Sequence, residues 1–166
     1  DDTTYTFNMP AGEVTVKATF AKEQGPEKLP FLDVSESDWY YEAVSFVYNN
    51  GLMIGDDEAS TIFAPSRHTT RAEYVTILYR MAGEPEVDGN LKFDDIFADD
   101  WYADAVEWAY ENKIVLGYSD TEYGPNDVIR REDAATILYR YAEFFGYDTS
   151  ARADLSGYGD VDEISD

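Results

Sequence analysis

The side chains able to do chemistry in this sequence are overwhelmingly carboxylates: 35 Asp and Glu against 12 Lys and Arg, with one His and no Cys in 166 residues. Without Cys there is no disulfide framework, no thiolate zinc site and no cysteine nucleophile. A single His also excludes a multi-histidine metal site. Two acidic clusters, Asp56-Asp57-Glu58 and Asp94-Asp95 with Asp99-Asp100, offer oxygens to Ca²⁺. Neither fits D-x-[DN]-x-[DN]-G-x₅-E, so solvated charge near helix starts is the better account and no metal is expected. Paired carboxylates also hydrolyse glycosides, but with 35 acids some pair falls at a workable separation by chance. No serine elbow, P-loop or zincin motif occurs. No catalytic residue and no cofactor is therefore assigned, and His68, beside Arg67 in a polar loop, reads as solvated.

The cations and indoles are fewer and more regularly placed. Arg71 and Arg131 lie 60 residues apart, while Trp39 and Trp101, like Gly55 and Gly117, lie 62 apart. These spacings belong to an internal duplication. Phe31-Leu-Asp33-Val returns as Phe93-Asp-Asp95-Ile, and Trp39-Tyr40, Ala43-Val44, Tyr48 and Asn50 return as Trp101-Tyr102, Ala105-Val106, Tyr110 and Asn112. A loop shorter by two residues then shifts the register, so that Phe63-Ala-Pro65 meets Tyr123-Gly-Pro125 and Thr76-Ile-Leu-Tyr-Arg80 meets Thr136-Ile-Leu-Tyr-Arg140. A third copy opens at Tyr158-Gly-Asp160-Val and runs into Ile164-Ser-Asp166, short of where its Trp would stand.

Each copy reads as helix, loop, helix. The first helix is expected from about Trp39 to Asn50, capped by Ser37 or Asp38, with Tyr40, Ala43, Val44 and Val47 on its inner face and Gly51 as its stop. Tyr102, Ala105, Val106 and Ala109 take the same places in the second copy. Thr70-Arg71-Ala72-Glu73 is a capping box opening the second helix, which turns Val75, Leu78 and Tyr79 inward and ends at Gly83-Glu84-Pro85. In the second copy Arg130 replaces the capping Thr, leaving Asp127 as the candidate cap. Ile77-Leu78-Tyr79 and Ile137-Leu138-Tyr139 are expected in the core. Tyr5, Phe7, Met9 and then Val14, Val16, Ala18, Phe20 alternate about a turn at Ala11-Gly12, which predicts a β-hairpin. The expected organisation is a hairpin closing an upstream β-repeat at 1–21, a linker at 22–30, repeat 1 at 31–87, repeat 2 at 88–149 and an incomplete repeat 3 at 150–166.

Phe/Asp-Val, Trp-Tyr-x-x-Ala-Val, Asn-Gly-Leu-x-x-Gly, Phe-x-Pro, Thr-Arg-Ala-Glu and Ile-Leu-Tyr-Arg, in that order, resemble the S-layer homology domain across residues 31–166. Tyr5-Thr-Phe-Asn-Met-Pro-Ala-Gly-Glu-Val-Thr-Val resembles the closing hairpin of small β-repeats on bacterial surface proteins. The first resemblance implies a mainly α fold of tandem helix-loop-helix repeats forming part of a pseudo-threefold bundle. It implies a non-enzymatic, extracellular cell-wall anchor whose inter-repeat grooves bind pyruvylated secondary cell-wall polysaccharide. It implies glycan contacts at Trp39, Gly55 and Arg71, and at their equivalents Trp101, Gly117 and Arg131. In the second repeat Thr-Arg-Ala-Glu has become Arg130-Arg131-Glu132-Asp133, so the cation is kept and its cap is changed.

A carboxylate on a sugar suits a guanidinium at a helix mouth, where unpaired N–H groups and the dipole favour an anion. The bland alternative for Arg71 and Arg131 is an intrahelical ion pair. Each Trp offers a flat face to a pyranose or packs at a helix start, and each Gly admits close approach of a sugar or a positive φ. A net charge of −23 excludes nucleic acid and anionic membrane as general partners. No apolar run is long enough to span a bilayer, so no membrane insertion is expected. An opening of Asp1-Asp2-Thr3 predicts no targeting signal and a piece of a longer protein. Two and a fraction repeats should leave apolar surface, which predicts either self-association, a second copy covering it, or a third repeat lost by cleavage or truncation. A structural spacer without glycan binding is the competing reading, and a carboxylate glycosidase a further one.

Overall fold

The computed structural model describes residues 28–56, 59–154, 157 and 159. The expected hairpin at 1–21, most of the 22–30 linker, Asp57-Glu58 and nearly all of the third-copy motif lie outside the described residues. Among the described residues four helices follow in order: α1 (Tyr41–Asn49), α2 (Arg71–Met81), α3 (Ala103–Glu111) and α4 (Arg131–Phe144). The only strand-like pairing among the described residues is one antiparallel bridge, Thr70 to Val128. The fold is mainly α, with helix-loop-helix occurring twice.

The helix starts differ from expectation. Asp38 does not cap α1, which has no side-chain cap. Its carboxylate accepts instead from the Ser35 N–H at 2.8 Å, tightening the turn that precedes the helix, and Asp100 does the same for the Phe97 N–H at 2.8 Å. The capping box of α2 forms as written: Thr70 Oγ1 accepts from the Glu73 N–H, and Glu73 Oε2 accepts from the Thr70 N–H. No side chain caps α4; the Asp127 carboxylate interacts instead with the Tyr118 hydroxyl. Gly51 ends α1 at φ +68°, and Lys113 takes the same left-handed position after α3 at φ +60°.

Each loop is tied back by one carboxylate. Asp33 accepts from the Phe63 and Ala64 N–H groups at 2.9 and 2.8 Å, and Asp95 from those of Tyr123 and Gly124 at 2.9 and 2.7 Å. The Asp of each Phe-x-Asp motif is thus the clasp that closes its repeat's loop over the first aromatic, whose ring meets the second (Phe31 with Phe63, Phe93 with Tyr123). Charge-assisted bonds to backbone N–H groups are the strong kind, about 1.5–3 kcal/mol each.

The main core lies between the repeats rather than within one. Ala72, Val75 and Leu78 of α2 join Tyr102, Ala105, Val106, Trp108 and Ala109 of α3 in one buried cluster with Phe93, Ile96 and Tyr123. A smaller cluster of Leu29, Phe31, Tyr41 and Val44 serves the first half of repeat 1. Several pseudo-equivalents of the α2–α3 joint are left exposed. Trp108 is 3% exposed, whereas its counterpart Phe46 is 62% exposed; Leu78 is 3% exposed, whereas Leu138 is 49%. Two expectations are corrected accordingly. Ala43 faces outward, so the inner face of α1 is Tyr41, Val44 and Ser45. Leu138 and Tyr139 are exposed rather than core, and among the described residues no helix follows α4 to cover them.

Candidate functional site

One groove opens on each repeat, between the Leu-x-x-Gly loop and the second helix. The first, about 440 Å³, is lined by residues 52–56, 63–65, Arg67, Glu73, Thr76, Ile77 and Arg80, and by Trp101 from the next repeat. The second, about 520 Å³, is lined by residues 115–118, Arg130, Glu132, Asp133, Thr136, Ile137 and Arg140, and by Arg71 from the preceding repeat. Each groove is therefore composite. Gly55 and Trp101 share the first, and Gly117 and Arg71 share the second.

Arg71 is 5% exposed although it lines a groove. Its Nε donates to the Tyr123 carbonyl at 3.0 Å, and the Tyr123 hydroxyl returns a bond to the Arg71 carbonyl at 3.3 Å. The guanidinium lies 4.3 Å from the Tyr118 ring centroid and 4.9 Å from that of Tyr123. Asp133 Oδ2 stands 3.8 Å from its Nη1, too far for a hydrogen bond. This ion pair crosses between repeats and is not intrahelical. Burial pushes the Tyr123 phenol far above its usual range, against the pull of the Arg71 cation, so that ring stays a neutral wall.

The mouth of α2 contributes no spare donors. The Arg71 N–H donates to the Asp127 carbonyl at 2.9 Å, the Ala72 N–H to the Pro125 carbonyl at 3.0 Å, and the Glu73 N–H to Thr70. The loop of repeat 2 has consumed the groups that were expected to help hold an anion, leaving the Arg71 side chain to act alone. Nη1 and Nη2 are the donors it has left.

The other sequence-picked residues separate. Trp101 is 64% exposed and edge-on to Tyr102 at 5.0 Å. Trp39 is 93% exposed, lies edge-on to Tyr40 and lines neither groove. Arg131 is exposed at the start of α4 and lines neither groove. Both groove glycines answer to packing. A Cβ on Gly55 would meet Ser60 Cα at 2.5 Å; one on Gly117, at φ +78°, would meet the Phe93 ring at 2.4 Å. His68 is exposed and lends only its carbonyl, to Arg67. Among the described residues no cluster could hold a metal ion.

Sequence reasoning missed three groove residues, Tyr118, Arg67 and Arg140, and the buried Tyr123 behind Arg71. Tyr118 and Tyr123 sandwich Arg71, Arg67 bridges Asp56 and Glu73 at 2.6 and 2.5 Å, and Arg140 stands in the second groove. Burial raises the Glu73 carboxyl, but the bond from Arg67, those from Thr70 and the Arg67 charge outweigh it and hold it below its ordinary 4.5. The available signal was the mismatch between copies: Asp56 and Arg67 of repeat 1 stand where repeat 2 has Tyr118 and Asp127.

Comparison with known proteins matches the S-layer homology domain over residues 30–75 and 92–135. The chain is 37% identical over 130 residues to the surface-layer 125 kDa protein of Lysinibacillus sphaericus, covering 78% of this chain and 10% of that protein. An endoglucanase of Bacillus sp. (strain KSM-635) is 27% identical over 152 residues, 92% of this chain and 16% of the relative. A cellulosome-anchoring protein of Acetivibrio thermocellus is 29% identical over 89 residues, 51% of this chain and 20% of the relative. The chain thus spans a tenth to a fifth of the length of these curated relatives.

Proposed function

Because the chain belongs to the S-layer homology domain family, we propose that it is the non-covalent cell-wall anchor of a bacterial surface protein, holding pyruvylated secondary cell-wall polysaccharide in its two grooves. Its working place is extracellular, at the wall or S-layer. The module is taken as repeats 31–87 and 88–149 with a third copy beginning at 150. The reading assigns no catalysis to these repeats. The similarity to an endoglucanase covers 16% of that protein, which suits a shared attachment module better than a shared active site.

The observation that carries the reading is Arg71. It is a buried cation whose stem is fixed by Tyr123 and two aromatic faces, yet which lines an open groove. A guanidinium held in this way is preorganised to take a carboxylate through two parallel bonds. Gly117 lies across the same groove, while Trp101 gives the first groove a flat apolar face beside Gly55. Self-association belongs to the same reading, a second copy covering the exposed Phe46 and Leu138 faces.

The test is retention of the 166-residue chain on purified wall polymer, before and after its pyruvyl groups are removed. Retention on the native polymer that falls on removal is expected. Equal retention on both would leave the spacer reading, with the fold kept and no recognition of the acid.

A further inference from the structure

The two grooves are built from equivalent residues but do not carry equivalent charge. In the first groove both cations are engaged by groups of the protein. Arg67 donates to Glu73 through both Nη atoms, to Asp56 and to the His68 carbonyl. Arg80 donates to the Leu52 carbonyl at 3.1 Å and pairs with Glu84, four residues on, at 3.7 Å. Arg67 alone answers both groove carboxylates, Asp56 and Glu73.

In the second groove the same positions are rewritten. Asp127 stands where repeat 1 has Arg67, and its carboxylate is engaged by Tyr118, which itself stands where repeat 1 has Asp56. Phe144 stands where repeat 1 has Glu84, so Arg140 has lost the carboxylate that holds Arg80. The nearby Glu143 is occupied by the Tyr139 hydroxyl at 2.7 Å. Arg140 consequently makes no ion pair or side-chain hydrogen bond among the described residues, while lining the groove that also receives Arg71. Arg71, Arg130 and Arg140 face Glu132 and Asp133, of which Glu132 pairs with Arg130 and Asp133 lies nearest Arg71.

We infer that the second groove alone takes the acidic group of the saccharide, with Arg140 as the second cation beside Arg71, and that the first groove binds an uncharged sugar face against Trp101. The inference rests on the proposed wall-polymer binding and adds to it which groove reads the charge. A guanidinium without a carboxylate partner gives its hydrogen bonds to a ligand anion without first breaking an internal pair. Arg67 has no such freedom, since each of its Nη atoms is already paired.

The experiment compares parent, Arg140→Gln and Arg80→Gln, all as the 166-residue chain, on native wall polymer and on the same polymer stripped of pyruvyl groups. Circular dichroism melts establish that each variant is folded. Arg140→Gln is expected to weaken binding to native polymer roughly tenfold or more, the effect of one charge-assisted bond, and to change nothing on stripped polymer. Any loss in Arg80→Gln should be the same on both. Arg140→Lys should recover part of the lost affinity. Parent-like binding of Arg140→Gln to native polymer, or equal discrimination by both Gln variants, overturns the inference while leaving the anchoring reading intact. A parent that ignores the polymer altogether removes the anchoring reading, and this inference with it.

Discussion

Replacing Arg71 with Lys keeps the charge at the joint and removes the geometry. The variant loses the Nε donor to the buried Tyr123 carbonyl, a charge-assisted bond worth about 1.5–3 kcal/mol. It also loses the flat contact with the Tyr118 and Tyr123 rings at 4.3 and 4.9 Å, worth about 1 kcal/mol in a buried setting. The ammonium regains some of this, so a net destabilisation of about 2–3 kcal/mol is expected, or on the order of 5–10 °C in Tm for a domain of this size. Arg131→Lys is the internal control. That residue occupies the equivalent position but is exposed, so its change should stay within about 0.5 kcal/mol. Guanidinium denaturation reads both, with an unchanged slope certifying that the midpoint reports stability. If the two variants fall by the same small amount, Arg71 is no staple between repeats, and its burial has been given the wrong cause.

Trp108→Ala should cost about 3–5 kcal/mol by the size of the buried ring, whereas Phe46→Ala at the equivalent exposed position should cost well under 1 kcal/mol; urea unfolding compares the two directly. The same exposed faces predict association: sedimentation velocity should show a concentration-dependent shift that Phe46→Glu with Leu138→Glu abolishes, and a monomer at every concentration would refute it. Glu73 has a folded pKa below its ordinary 4.5. Its ionised form therefore contributes stability fully above that value and loses it as pH falls through the folded pKa. The stability gap between parent and Glu73→Gln should shrink on acidification below 4.5, and a gap independent of pH would show that the Arg67 and Thr70 bonds do not hold the carboxylate.

Much of the fold was legible because it is local. The capping box at Thr70, the stop at Gly51 and the two-helix pattern are written within a few residues of where they act. What could not be read was which copy of a motif meets a partner. Leu78 and Leu138 sit in the same five-residue run, as do Ala43 and Ala105 in theirs, yet one of each is buried and one exposed. Burial here depends on the neighbouring repeat, and no property of the run itself encodes that. The caps assigned to Asp38 and Asp127 failed for a related reason. Both carboxylates are engaged elsewhere, Asp38 by the Ser35 N–H of the preceding turn and Asp127 by the Tyr118 hydroxyl, and short polar side chains readily take such local partners. Asp33 and Asp95 were visible as repeated acids, but their partners lie about thirty residues ahead, beyond any window of local pattern.

The candidate site follows the same logic at larger scale. Arg71 and Gly55 belong to one repeat in sequence, yet Arg71 is delivered to the groove of the next repeat and Gly55 shares its own with Trp101. Delivery of Arg71 depends on the first N–H groups of α2 being taken by the carbonyls of residues 125 and 127, and on the buried α2–α3 cluster behind them. A repeat isolated from its neighbour therefore lacks a complete groove, however well its helices form. It follows that occupation of the second groove and closure of the joint are linked equilibria: a ligand that grips Arg71 binds only the docked arrangement and must stabilise it in turn. A duplicated module gains a site through such a joint without any change inside the individual repeat, which is why the residues that matter most are those whose neighbours lie 50 or 60 positions away.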